Sequence, residues 1–214
     1  MTGRNAPAPV LPVQMLERLS AFRREVVTVL VAAAVVLTAR SSLADHYVVP
    51  TGSMIPTVEP RDHIFVDKLA YGLHVPLLDT YAVRFGDPAH GDVVVLRSPE
   101  TGIVLLKRVV AVPGDEVKVT GGELALNGVV VPVSLRGAVL VKQLGAVTHA
   151  VRLDSGGGPD FGPLRLPEGR FLVMGDNRGD SHDGRAFGLV TRSAIFGRAE
   201  GVFLREGAPT WIGL

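Results

Sequence analysis

A serine in a cramped turn is the first residue in this chain able to do chemistry. Ser53 lies in Val49-Pro50-Thr51-Gly52-Ser53-Met54-Ile55-Pro56-Thr57. Gly52 opens backbone dihedrals closed to bulkier residues, and Pro50 and Pro56 stiffen both flanks. The run reads as a short exposed elbow that holds one hydroxyl in place. A serine hydroxyl is a weak nucleophile until a base takes its proton.

The base that the sequence offers is Lys107. It stands inside the apolar run Ile103–Val112, and strand alternation puts it in one row with Ile103, Leu105, Val109 and Ala111. Burial in such a row disfavours the ammonium and draws its pKa down from ~10.4. A neutral amine can act as general base toward a serine, which makes Ser53 and Lys107 a candidate Ser-Lys dyad. The bland alternative is a strand lysine whose ammonium reaches water along the sheet edge. Spacing alone does not bring Ser53 and Lys107 together.

The histidines offer less. His46, His63, His74, His90, His149 and His182 fall into no ligand spacing such as H-E-x-x-H. No metal or other cofactor is expected. Ser181-His182-Asp183 suggests a Ser-His-Asp triad, but adjacent residues seldom present their side chains to one nucleophile.

A β-rich body must position these groups. Strands are expected around Ile64-Phe65-Val66, near Tyr81–Phe85, over Val93–Leu96, over Ile103–Val112 as the longest, at Phe171–Met174 and over Ile195–Leu204. Glu123–Val133 reads as a hairpin with Asn127-Gly128 as a type I′ turn. The stretch 117–166 is expected to be a β-rich insertion, with Ser155-Gly156-Gly157-Gly158-Pro159 as a loop tip. Phe171–Met174 runs straight into a dense polar loop, Gly175 to Arg185.

Ahead of the elbow, Val26–Ala39 carries no charge, with Arg4, Arg18, Arg23 and Arg24 on its N-terminal side. As a helix this run spans only about 21 Å, against the ~30 Å of a bilayer core. Continuing past Arg40 to Ala44 nearly closes the gap, with Arg40 reaching the interface. A buried core helix and a removed signal peptide are the rivals. The favoured organisation is a cytoplasmic segment over 1–25, a transmembrane anchor over 26–46 and an extracytoplasmic catalytic domain over 47–214. The arginine bias sets that orientation.

Composition removes other classes. Apolar residues make up 47% and charged residues 20% of the chain, enough for a core. A net charge of +1 gives no footprint for nucleic acid. There is no cysteine, so disulfides and thiol nucleophiles are excluded.

Four motifs in order resemble those of the bacterial type I signal peptidases. Pro50-Thr51-Gly52-Ser53-Met54-Ile55-Pro56-Thr57 is similar to their serine box. His90-Gly91-Asp92-Val93-Val94-Val95 is similar to their Gly-Asp box, and Lys107-Arg108-Val109-Val110-Ala111-Val112-Pro113-Gly114-Asp115 to their lysine box. Gly175-Asp176-Asn177-Arg178, followed by Ser181, Asp183 and Arg185, resembles their C-terminal box. The resemblance covers Val26 to about Arg205. It implies a mostly β catalytic domain behind one membrane helix, on the outer face of the cytoplasmic membrane. It implies an endopeptidase that removes signal peptides from exported preproteins, working at the phospholipid membrane beside the export translocon.

Carried over by position, the resemblance implies roles for single residues. Ser53 would be the nucleophile, Lys107 the base and Ser181 the group that orients the lysine. The Ser53 N–H and the Thr51 hydroxyl would form the oxyanion hole, and Asp183 and Arg185 a structural ion pair. Val49, Met54, Ile64, Leu105 and Leu106 would line small apolar pockets that accept A-x-A cleavage sites. The chain departs from the family pattern at Thr51, where serine is commoner, at Asp180, where asparagine is usual, and at Gly184, where serine is usual.

Two other readings stand beside this one. A self-cleaving Ser-Lys regulator of the SOS-repressor kind would need a scissile site on its own chain, usually a DNA-binding domain, and no anchor. A membrane-tethered binding domain would not need both Ser53 and Lys107.

Overall fold

The structure is a computed structural model that describes residues 22–30, 44–75, 80–154 and 156–214. The chain divides into two units, Met1–Ser41 and Ser42–Leu214. In the first, residues 22–30 are helical (α1). Most of the expected anchor lies outside the described residues, and among those residues no helix is long and apolar enough to cross a membrane. Ala44 to His46, read from sequence as the end of the anchor, are the start of the first strand.

The second unit is built from strands. In chain order they are β1 (Ala44–Val48), β2 (His63–Asp67), β3 (Gly72–Val75), β4 (Thr80–Arg84), β5 (Val93–Arg97), β6 (Val104–Ala111), β7 (Glu116–Thr120), β8 (Glu123–Leu126) and β9 (Val129–Val130). They continue as β10 (Val133–Arg136), β11 (Val139–Leu144), β12 (Val147–Val151), β13 (Phe161–Arg165), β14 (Arg170–Met174), β15 (Val190–Thr191), β16 (Ile195–Arg205) and β17 (Ala208–Gly213). A short helix, α2, covers Gly184–Phe187.

The main sheet has eight strands in the order β1-β2-β16-β5-β6-β14-β15, with β17 paired to β16. Its middle strands are apolar on both faces because both are covered. On one side Val93 and Val95 of β5 join Val49, Met54, Ile64 and Val66. On the other, Val94 and Leu96 join Val109, Phe171, Val173 and Ile195. A third cluster packs Val110 and Leu172 against Val117, Val119, Leu124 and Leu144 of the segment between β6 and β14. That segment forms two small sheets, β13-β7-β8-β9 and β10-β11-β12. The β8–β9 turn has Asn127 at φ 52° and Gly128 at φ 78°, the positive pair that a type I′ turn requires.

Several expectations need correcting. The longest strand is β16, with eleven residues, not the one carrying Lys107, which has eight. The strand expected near Tyr81–Phe85 is β4, and it pairs in a hairpin with β3, which was not expected. The sequence reading missed β17, whose burial follows no alternation. The signal for it lay in Glu206-Gly207, both at positive φ in the turn before it.

The β5–β6 hairpin sets the register of Lys107. Ser98 closes its turn: its N–H donates to the Ile103 carbonyl at 2.8 Å, and its Oγ accepts from the N–H groups of Glu100 and Thr101. Lys107 then pairs with Val94, and Arg108 with Val93.

The elbow is held from beneath. Met54 is fully buried, and the Val58 N–H donates to its carbonyl at 3.0 Å. The Ile55 N–H closes the turn onto the Gly52 carbonyl at 3.1 Å. Gly52 is not at positive φ, so the expectation that it supplies unusual dihedrals does not hold. A Cβ there would come 2.9 Å from Ile55 Cδ1, so the pressure for glycine is room beside a flexible side chain. Met54 carries the burial that fixes the elbow. Met54→Ala should destabilise the fold by about 2–5 kcal/mol, the range for a deleted core methionine, measured by urea unfolding. A change under 0.5 kcal/mol would mean that the elbow is not anchored through this side chain.

Candidate active site

The elbow and β6 bring Ser53 and Lys107 together. Lys107 Nζ lies 2.6 Å from Ser53 Oγ and donates to it. Lys107 is 3% exposed, and burial pushes its pKa down from the usual lysine value to about 8. The charges of Asp183 and Asp176 act against that shift, and Arg185 adds to it. A lysine held this way is neutral over part of the ordinary pH range. Thr51 Oγ1 stands 3.5 Å from Ser53 Oγ on the exposed side of the elbow.

The polar loop after β14 closes over the elbow. The Asn177 N–H donates to the Ser53 carbonyl at 3.1 Å, and Asn177 Nδ2 donates to the Gly52 carbonyl at 3.1 Å. Gly175 makes this approach possible, because a Cβ there would overlap both the Ser53 carbonyl oxygen and Ser181 Oγ. Ser181 Oγ is buried and has no hydrogen-bond partner among the described residues. Its expected contact with the lysine amine is not a hydrogen bond in this structure.

Asp183 and Arg185 form a fully buried pair. Arg185 Nε and Nη2 each donate to the Asp183 carboxylate at 2.8 Å, and the Gly175 N–H donates to it at 2.9 Å. Burial would raise the Asp183 pKa, but the hydrogen bonds and charge of Arg185, with the Gly175 N–H, hold it below the usual carboxylate value. The remaining Arg185 donors go to the carbonyls of Gly157 and Arg178. Asp183 also caps α2 by accepting from the Arg185 N–H. The departure at Gly184 has a steric reason: a Cβ there would meet Leu172 Cδ1 and the Val173 carbonyl oxygen, each at 2.8 Å. Asp180 is exposed, and the structure gives it no role.

A second buried pair was not assigned from the sequence. Arg108 Nε and Nη2 grip Asp176 at 2.9 and 2.8 Å, and Arg108 Nη1 donates to the Gly91 carbonyl. Thr57 Oγ1 donates to Asp176 at 2.6 Å. The signal was present in Lys107-Arg108: two basic residues in succession within an apolar strand point to opposite sides and both need partners. The Ser-His-Asp alternative does not form. His182 Nε2 lies 2.7 Å from Glu100, with both side chains more than half exposed, while Asp183 is taken up by Arg185.

An apolar groove of about 290 Å³ leads to the dyad. Val49, Met54, Ile64, Leu105 and Leu106 all line it, beside Thr51, Ser53 and Lys107. Tyr47 and Ile103 also line it and were not foreseen.

Known proteins match this chain over most of its length. The family model described as signal peptidase, peptidase S26, matches residues 22–204. A signal peptidase I from Pseudomonas fluorescens is 36% identical, the match covering 82% of this chain and 70% of that protein. One from Pseudomonas aeruginosa is 37% identical with the same coverage. One from Bacillus amyloliquefaciens is 30% identical, covering 82% of this chain and 81% of that protein.

Breaking a buried ion pair from one side strands the other charge. Asp183→Ala leaves Arg185 buried with no carboxylate and frees the Gly175 N–H. It should lower stability by about 3–5 kcal/mol, read as a fall in the denaturation midpoint. A melting profile unchanged from wild type would mean that the pair is open to solvent.

Proposed function

The chain belongs to the signal peptidase I family of serine endopeptidases, peptidase S26, and from that premise we propose that it cleaves signal peptides with a Ser53–Lys107 dyad. The observation that carries this reading is the 2.6 Å contact between Lys107 Nζ and Ser53 Oγ. In the neutral amine the lone pair turns to the hydroxyl at the same distance and takes its proton. Ser53 Oγ attacks the scissile carbonyl carbon, and the carbonyl oxygen becomes an oxyanion. The Lys107 ammonium then protonates the leaving amine, and an acyl-Ser53 ester remains. Water gives a proton to Lys107 and attacks that ester. Ser53 Oγ leaves and takes the proton back from the Lys107 ammonium, and the new carboxylic acid departs and loses its proton to solvent.

Other residues take supporting parts. Ser181 aims the lysine amine once Ser53 Oγ has moved to the substrate. Its buried, unpartnered hydroxyl supports this. Asp183 and Arg185 hold the 175–185 loop in place. The groove walls at Val49, Ile64 and Leu106 suit small side chains, which supports cleavage after A-x-A sequences of preproteins. The apolar run Val26–Ala39, with arginines ahead of it, supports a single anchor in the cytoplasmic membrane that continues past Arg40 toward the start of β1. It would hold 47–214 outside, where the translocon delivers the substrate.

Ser53→Ala and Lys107→Ala should each abolish cleavage of a preprotein, and the double variant should be no worse, because the two residues act as one unit. In the wild type kcat/KM should rise with pH, since only the neutral amine is a base. With a pKa of about 8, activity falls ~10-fold per pH unit well below 8 and levels off above about 9. A flat profile across that window, with chemistry rate-limiting, would remove Lys107 as the base.

The oxyanion needs donors already aimed at it. One is the Ser53 N–H, and Thr51 Oγ1, beside Ser53 Oγ, is the second. Thr51→Ser keeps most activity. Thr51→Val keeps the shape, loses the donor and should lower kcat by ~10²–10³, with KM little changed. If Thr51→Val turns over within a few-fold of wild type, another group completes the hole.

A further inference from the structure

Beside the 175–178 loop lies a group of buried basic side chains with too few hydrogen-bond partners. Arg178 is fully buried, and only its Nε has a partner, the Gly175 carbonyl at 3.0 Å. Both of its amino groups are buried and unpartnered among the described residues. Lys142 is also fully buried, with one long contact from Nζ to the Gly122 carbonyl at 3.3 Å. His149 is 5% exposed, and both ring nitrogens lack a hydrogen bond.

The backbone gathers these three side chains. Lys142 and His149 are direct partners across β11 and β12, so they share a face. Just past β12, the Arg152 N–H donates to the Asp176 carbonyl and the Arg178 N–H donates to the Arg152 carbonyl, both at 2.9 Å. These two bonds fasten the loop to the end of β12. His149 Nε2 stands 3.9 Å from Asp176 Oδ1. Burial, with the charges of Arg108, Arg178 and Lys142, pushes the His149 pKa down to about 3, so its ring is neutral.

The charges here do not balance. Arg108 takes up Asp176, and Arg185 takes up Asp183. Among the described residues the acid that acts on Lys142 is Glu123, which is exposed, while burial and the charge of Arg178 draw the Lys142 pKa down to about 8. Arg178 feels the charges of Asp176 and Asp183, but both carboxylates bond elsewhere, so among the described residues the Arg178 amino groups and Lys142 keep donors without a bonded counter-charge. Unpaired buried charge is costly. Guanidinium and ammonium groups donate and never accept. Water brings as many donors as acceptors, so it fills this set less well than an acceptor that carries charge.

We propose that Arg178, Lys142 and His149 form a closed site for a small monovalent anion of halide size. The anion accepts from the Arg178 amino groups, the Lys142 ammonium and the His149 N–H. It braces the loop whose Asn177 holds the Ser53 elbow. This proposal does not rest on the catalytic reading, because occupancy and stability report it without any turnover.

The probes are chloride, bromide and gluconate, used with the full chain in detergent. At equal ionic strength, saturating chloride should raise Tm by about 5 °C or more over gluconate, because gluconate is too large to enter. Crystals grown in sodium bromide should show an anomalous peak within hydrogen-bonding reach of Arg178 and Lys142. Lys142→Met fills the same space with an apolar side chain, and it should lose most of the chloride effect while still melting cooperatively. Equal Tm in the two salts overturns the proposal. So does ordered water at the site with bromide found only elsewhere. A chloride effect that Lys142→Met retains in full assigns the ion to another place, and that too overturns it.

Discussion

The structure depends on keeping one lysine amine out of water. An ammonium in solution cannot take a proton, and Lys107 is brought toward neutrality by burial. Burial alone would be easy to provide with apolar side chains. The difficulty is that charged groups stand close by. Asp183 and Asp176 each favour the ammonium, and Arg185 opposes it. Because Asp183 is paired with Arg185 and Asp176 with Arg108, the field at Nζ is that of two dipoles rather than two bare carboxylates. The ion pairs are thus part of the electrostatics of the Ser53–Lys107 contact as well as of the packing.

The same pairs explain how a loop of polar residues can be buried. Asp183 receives four N–H donors from Arg185 and Gly175, so little of its hydrogen-bonding capacity is lost on leaving water. Close backbone approach does the rest. Gly175 lets the loop lie against the Ser53 carbonyl and Ser181, and Gly184 lets α2 lie against β14. Gly157, whose carbonyl receives Arg185, is itself packed so closely on Gly121 and Gly122 that a Cβ would overlap backbone. The segment between β6 and β14 therefore reaches the site through main chain.

What the sequence disclosed was local. Strand alternation in Ile103–Val112 singled out Lys107, and the small residues around Ser53 marked the elbow. Asn127-Gly128 identified its own turn. Contacts between distant parts of the chain left no such mark. Arg108 and Asp176 are 68 residues apart, and Asn177 meets Gly52 across 125. No period or propensity encodes a partner at that distance. Gly52 misled because a glycine required for room looks the same in sequence as one required for its dihedrals. Strand β17 was hidden for a related reason: it lies mostly exposed on the edge of β16, so its side chains carry no pattern of alternate burial.

The hairpin turn that Ser98 closes has a consequence for how this chain tolerates length changes. Lys107 and Arg108 are neighbours on β6 and face opposite sides, one toward Ser53 and the other toward Asp176. A strand shifted by one residue exchanges its two faces. Deleting a single residue between Ser98 and Ile103 would bring the permanently charged Arg108 guanidinium to the serine, and inserting one would bring Leu106 there and turn the lysine toward Asp176. Loops elsewhere on such a domain can grow or shrink with little effect. This turn acts as a ruler, and its length is as much a chemical requirement as the identity of either side chain.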